Sequence, residues 1–123
     1  MYDGQNKYHR PQGLGKREPA EREERSMIHY VLLKFKPGTD LDAAEKQIRE
    51  TYEALDRELP FFHDPKTYRC CVERDSNADI MSIMRLDAPE DLPKYLQHPL
   101  HMAMGKSLNP SIVTRISFDH PDD

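Results

Sequence analysis

The 123-residue chain has no Trp, two Cys and five Gly, and it nowhere carries a long hydrophobic run. Each scarcity removes a class of protein. Without 18 consecutive apolar residues, nothing in the sequence reads as a membrane span. The N-terminus also lacks the apolar stretch of a secretory signal. Cys70 stands directly beside Cys71, which makes neither a CxxC pair nor a disulfide framework. Successive strand positions point to opposite faces, so both thiols are expected to be reduced, buried small hydrophobes in a cytoplasmic protein. Glycine-rich phosphate loops, GxSxG and HExxH are all missing. No polybasic arm exists either, because Lys16–Ser26 mixes both signs. Neither nucleic acid nor a membrane is therefore expected as a partner.

What is present is unevenly spread. Mean hydropathy is −0.88 although 37% of the residues are apolar. Residues 1–26 hold five apolar side chains against six basic and five acidic ones. They include Pro11, Pro19 and three glycines and show no apolar periodicity, so they read as a disordered extension. Met27 stands just before the first apolar run; a start at Met27, an uninvolved extension and a docking tail all fit. Residues 27–123 keep 12 basic and 17 acidic groups, a net −5, and form the expected domain. A body of this size buries roughly 60 to 65% of its unfolded surface and is marginal alone.

The first run, Ile28–Lys36 (IHYVLLKFK), is apolar on both alternating faces, as in a strand covered from two sides. Pro37-Gly38 ends it, and Thr39 or Asp40 can cap the next element. Leu41, Ala44, Ile48, Tyr52, Leu55 and Leu59 recur at three and four, the stripe of an amphipathic helix that Pro60 terminates. Phe61–Pro65 then reads as a connection. Thr67–Arg74 and Asp79–Leu86 read as a hairpin around Asp75-Ser76-Asn77. Asp87 suits a helix cap, with Pro89 in the first turn and Glu90 three residues on. That helix carries Leu92, Tyr95 and Leu96 until His98-Pro99 breaks it. A second helical piece carries His101, Met104 and Leu108, and Ser111–Phe118 is the last strand.

The order βαββαβ is the split-βαβ, ferredoxin-like α+β pattern: a four-stranded antiparallel sheet with both helices on one face. One apolar sheet face is left open, which marks an interface. The expected assembly is a twofold homodimer with two sheets packed face to face as a dimeric α/β barrel.

Histidines carry what chemistry the sequence offers. His9, His63 and His120 lie in terminal or loop positions and are expected to be solvated. His29 opens a buried strand, and Tyr95–His101 (YLQHPLH) sets Tyr95, His98 and His101 around a helix break. His98 suits a capping or hinge role. His29, Tyr52 and His101 can meet between helices and sheet, in a pocket lined by Val31, Leu33, Ile48 and Met104. There His101 suits proton abstraction next to a carbonyl, with Tyr95 holding the imidazole or donating to an enolate oxygen. Tyr52 and Tyr95 fit equally well as core residues with satisfied hydroxyls, and His29 and His101 as buried structural partners. No cofactor is expected, and no metal, since His98 and His101 have no carboxylate motif beside them. Arg115 is a lone strand charge that suits snorkelling, a pair across the dimer, or an acidic ligand.

IHYVLLKFK together with YLQHPLHMAMG resembles the stress-responsive dimeric α/β-barrel (Dabb) family over nearly all of residues 27–119. The resemblance implies the same fold and a homodimer. In a plant relative, olivetolic acid cyclase, a Tyr and the second His of an HPxH element form the acid/base pair, which implies Tyr95 and His101 here. A first-strand His and a first-helix Tyr of that pocket imply His29 and Tyr52. The cyclase has a further His where the third strand begins; this chain has Ile80 there. Two functions follow as expectations: a dimer that binds a small hydrophobic or carbonyl-containing compound, or a cofactor-independent cyclase, isomerase or lyase.

Overall fold

In the computed structural model, which describes residues 25–123, the first apolar run forms strand β1, Met27–Phe35. Its alternation has a direct structural meaning. Met27, His29, Leu33 and Phe35 are buried beneath the helices, while Ile28, Tyr30, Leu32 and Lys34 face the other side and stay half-exposed. Helix α1, Leu41–Glu58, is capped by Asp40, whose carboxylate accepts from the Ala43 amide at 3.0 Å. It buries Ala44, Ile48, Tyr52 and Leu55 against the sheet.

Strands β2 (Phe62–Arg69), β3 (Ile80–Leu86) and β4 (Ile112–Pro121) complete an antiparallel sheet in the order β2-β3-β1-β4. Helices α2 (Leu92–Leu96) and α3 (Pro99–Leu108) occupy the second crossover, flanked by single 3₁₀ turns at Pro89–Asp91 and Asn109–Ser111. The chain is thus the expected βαββαβ, a ferredoxin-like α+β fold with helices on one face. The core between the layers is closed by Ile48, Leu55, Phe62, Ile80, Met84, Leu86 and Tyr95, all nearly inaccessible.

Several boundaries differ from expectation for identifiable reasons. β2 begins at Phe62, not Thr67, and takes in the segment that reads as a connection. Asp64 adopts φ 54°, which Asp tolerates better than most residues, and the pairing with β3 slips between His63 and Lys66. Pro65 sits in that irregularity on an edge strand, where its missing N–H removes no ladder bond.

Because β2 then ends at Arg69, Cys70 and Cys71 fall in the following loop, and both are exposed rather than buried. Asp87 does not cap a helix: its carboxylate accepts from His63 Nε2 at 2.9 Å, and Ala88 precedes the 3₁₀ turn. His63 is accordingly a partnered strand residue. The last strand runs to Pro121, which brings His120 beside β1: its Nδ1 donates to the Pro121 carbonyl at 2.7 Å, so its Nε2 accepts from the Tyr30 hydroxyl at 2.9 Å.

Most of the expected disordered extension, residues 1–24, lies outside the described residues. Arg25 and Ser26, ahead of the expected boundary, are buried; the Ser26 carbonyl accepts from the Asp122 amide at 3.0 Å.

Leu55 is 0% exposed at the centre of the α1 face. Leu55→Ala should cost about 2 to 5 kcal/mol through lost transfer energy and a residual cavity, read as a lowered urea midpoint at unchanged slope.

Candidate functional site

The sheet and the second crossover part around a cavity of about 90 Å³. Its floor is the helix-side face of β1: His29, Val31 and Leu33. Tyr52 closes it from α1 and Tyr95 from α2, while His101, Met104, Gly105 and Leu108 form the α3 wall. Leu96, Arg115 and Ser117 are exposed and therefore mark the mouth. Of the residues expected to line the pocket, Ile48 alone does not reach it; it is 1% exposed within the core.

The chain break around His98 builds the α3 wall. His98 has extended backbone at the N-cap of α3, and its Nδ1 accepts from the Leu100 amide at 3.0 Å. Pro99 follows in the first turn, where its fixed φ suits a helix start. The bend lets His101 return to the end of α2: its Nδ1 lies 3.1 Å from the Leu96 carbonyl. A carbonyl only accepts, so Nδ1 carries the proton and Nε2 keeps its lone pair. The imidazole meets the Tyr95 ring edge to face, with centroids 4.7 Å apart.

Two further contacts define the polar content. The Tyr52 and Tyr95 hydroxyls are 3.0 Å apart and buried; one donates to the other, and the accepting hydroxyl keeps a proton to offer. His29, 3% exposed, donates from Nδ1 to the Asp119 carboxylate on β4, which fixes the orientation of its ring. His29 also packs edge to face on Tyr95 at 5.6 Å between centroids.

Burial governs the protonation states. It raises the Tyr52 hydroxyl above its ordinary value, against the Tyr95 hydrogen bond and the Arg115 charge, which pull it down. Tyr95 is pushed well above its ordinary value by burial first and then by Tyr52. Both phenols are therefore neutral donors near pH 7. Burial also lowers His101 below its ordinary value; the Leu96 hydrogen bond opposes this, and the charge of Arg115 adds to it. The neutral, proton-accepting form of His101 thus prevails at neutral pH.

Asp119 and Arg115 complete the site. Arg115, Ser117 and Asp119 alternate on the β4 face that pairs with Leu33, Val31 and His29 of β1. That polar alternation, continued past Phe118, sets Asp119 on this face, and only the register with β1 gives it His29 as a partner. Gly105 is also informative: within a helix, glycine costs about 1 kcal/mol relative to alanine. A methyl there would approach nothing closer than Asn109 Nδ2 at 3.7 Å, so packing does not demand the glycine. No group of three His, Cys, Asp or Glu side chains among the described residues is arranged to hold a metal.

A four-stranded antiparallel sheet, helices on one face and a pocket between the layers define a ferredoxin-like α+β protein. Within that class the chain belongs to the stress responsive A/B barrel domain family, whose model matches residues 27–122.

Three solved structures show the likeness. One is a dimeric protein of unknown function and ferredoxin-like fold from Bacteroides fragilis, with TM-score 0.67 and 21% identity over 78% of this chain and 95% of that one. Another, a dimeric ferredoxin-like protein of unknown function from Thermobifida fusca, has TM-score 0.61 and 18% identity over 78% and 90%. The third, a hydroxynitrile lyase from Passiflora edulis, has TM-score 0.66 and 13% identity over 81% and 95%. At these identities the likeness concerns the fold. No match was found among curated proteins.

A depressed His101 pKa has a definite sign. The His101 ring resonances, followed by NMR, should titrate with a midpoint below the reference value of about 6.5. A midpoint above that value would contradict the buried, neutral imidazole.

Proposed function

We propose that the protein is a homodimeric barrel whose subunits each bind a small, mainly apolar, carbonyl-containing compound between sheet and helices. The observation that carries this reading is the cavity, apolar on its β1 and α3 walls, with the polar groups of His29, His101, Tyr52 and Tyr95 converging on it. The space of about 90 Å³ suits a ligand of few heavy atoms. A role in stress response draws its support from the family's description alone. A cytoplasmic setting draws support from the two free, exposed thiols.

The dimer is supported by the open sheet face. Tyr68 is 52%, Ile116 55% and Phe118 60% exposed, beside the half-exposed Tyr30, Leu32, Met81 and Ile83. Among the described residues no element packs on this continuous apolar surface of the four-stranded sheet, and two structural relatives are described as dimeric.

A second reading, acid/base catalysis without a cofactor, is favoured by a specific observation: both cavity imidazoles have their Nδ1 occupied, His29 by Asp119 and His101 by Leu96. His101, whose pKa burial lowers, then presents an unprotonated Nε2, the state a general base requires. In this reading His101 removes a proton next to the ligand carbonyl and Tyr95 donates to the oxygen that becomes negative. A lyase, isomerase or cyclase step fits that pair. The Passiflora lyase, similar in fold, is a precedent for catalysis on this scaffold and says nothing further of this chain.

Light scattering at micromolar concentration should report twice the 14.4 kDa chain mass, and Phe118→Asp should shift it towards the monomer. A wild-type monomer would sink the barrel. For the cavity, Gly105→Ala is the sharper test. It should raise stability by about 0.5 to 1 kcal/mol through helix propensity while weakening the binding of small ketones, followed through the His101 resonances. Unchanged ketone binding in a stabilised Gly105→Ala would count against ligand occupancy at this wall.

A further inference from the structure

The cavity mouth carries one permanent positive charge, Arg115. Its Nη2 donates to Asn109 Oδ1 at 2.6 Å, which ties the guanidinium to the end of α3. Among the described residues no carboxylate lies within ion-pair distance of it, as is also true of Arg57 and Arg74, whereas Arg49, Arg69 and Arg85 have acidic partners; of the three unpaired arginines, Arg115 is the one that lines the cavity. The nearest acid on its own strand face, Asp119, is four residues away, about 13 Å along an extended strand, and is engaged by His29. The remaining guanidinium N–H groups are therefore open to an anion from outside.

The field of Arg115 also reaches inward. Its charge favours the anionic forms of Tyr52 and Tyr95 and disfavours protonated His101. Positive potential thus extends from the mouth towards the tyrosines, while Asp119 holds the far end through His29. Ser117, between the two on the same face, adds a hydroxyl at the mouth. Leu108 and Ile112 supply apolar wall next to Arg115.

We propose that Arg115 makes the cavity selective for short oxo acids. Their carboxylate lies in the guanidinium fork at the mouth, their carbon chain lies against Leu108 and Ile112, and their keto oxygen points inward to Tyr95 and His101. A planar guanidinium matches a carboxylate with two parallel hydrogen bonds, and an arginine without an acidic partner loses no ion pair when the ligand arrives. The volume agrees: a few carbon atoms fill the interior, and the carboxylate remains at the open end. This inference rests on the reading that the cavity takes a carbonyl compound, and it names the class.

The test compares 3-oxobutanoate with its neutral, nearly isosteric amide, 3-oxobutanamide, each titrated into the full chain and followed by the His29 and His101 ring resonances. Wild type should bind the acid about tenfold more tightly than the amide, the order expected of a charge-assisted pair at a partly exposed site. Arg115→Gln should abolish that preference by weakening the acid far more than the amide, and a thermal melt coincident with wild type certifies that the variant is folded. Lys46→Gln, the same change of charge on the wet side of α1, should keep the preference. Equal binding of acid and amide by wild type, or a preference that survives Arg115→Gln, overturns the inference while leaving the cavity reading intact. If neither compound perturbs the two imidazoles, the cavity reading itself fails.

Discussion

Everything in this molecule depends on a strand that must be buried on both sides in a fold that covers only one. β1 lies inside the sheet between β3 and β4, so its backbone groups are satisfied by ladder bonds and its side chains alone decide what packs above and below. The helices cover Met27, Leu33 and Phe35 and leave Ile28, Tyr30 and Leu32 on the opposite side. The period of two in one nine-residue strand thus separates the face that floors the cavity from the open apolar face.

The site takes its character from a shortage of apolar filling. Tyr95 is central: its ring touches His29, Tyr52, Phe62 and His101. A fully buried tyrosine must place its hydroxyl, and the one partner found is another tyrosine, so the pair adds a polar seam to an otherwise apolar layer. The same two residues are both core and cavity wall, so the structural and functional readings of Tyr52 and Tyr95 describe one arrangement.

Strong periodicity made much of the fold legible. The α1 stripe, the two-faced β1, the His98-Pro99 break and the βαββαβ order all follow from spacing and from Pro and Gly. β2 did not, because Pro65 and Asp64 look like a loop, and only pairing with β3 makes an irregular edge strand of them. That five-residue shift carried Cys70 and Cys71 out of the sheet. In the site, His29, Tyr52, Tyr95 and His101 were readable from their place on apolar faces. Asp119 was not, because a long-range pairing across β1 and β4 gives it its partner, and local pattern carries no register between distant strands. Ile48 shows the converse: it shares the α1 stripe with Tyr52, yet lies one turn away from the cavity and is sealed in the core.

β4 is an edge strand with a divided allegiance. Arg115, Ser117 and Asp119 look into the layer that holds the cavity, while Ile116 and Phe118, alternating with them, look out onto the uncovered sheet. The two sets share one backbone, so whatever grips the outer set restrains the inner one. Any molecule that covers the open face therefore removes conformational freedom from the cavity mouth before a ligand arrives. For the proposed ligand and the proposed dimer, the two equilibria would then be linked through this one strand without a shared contact.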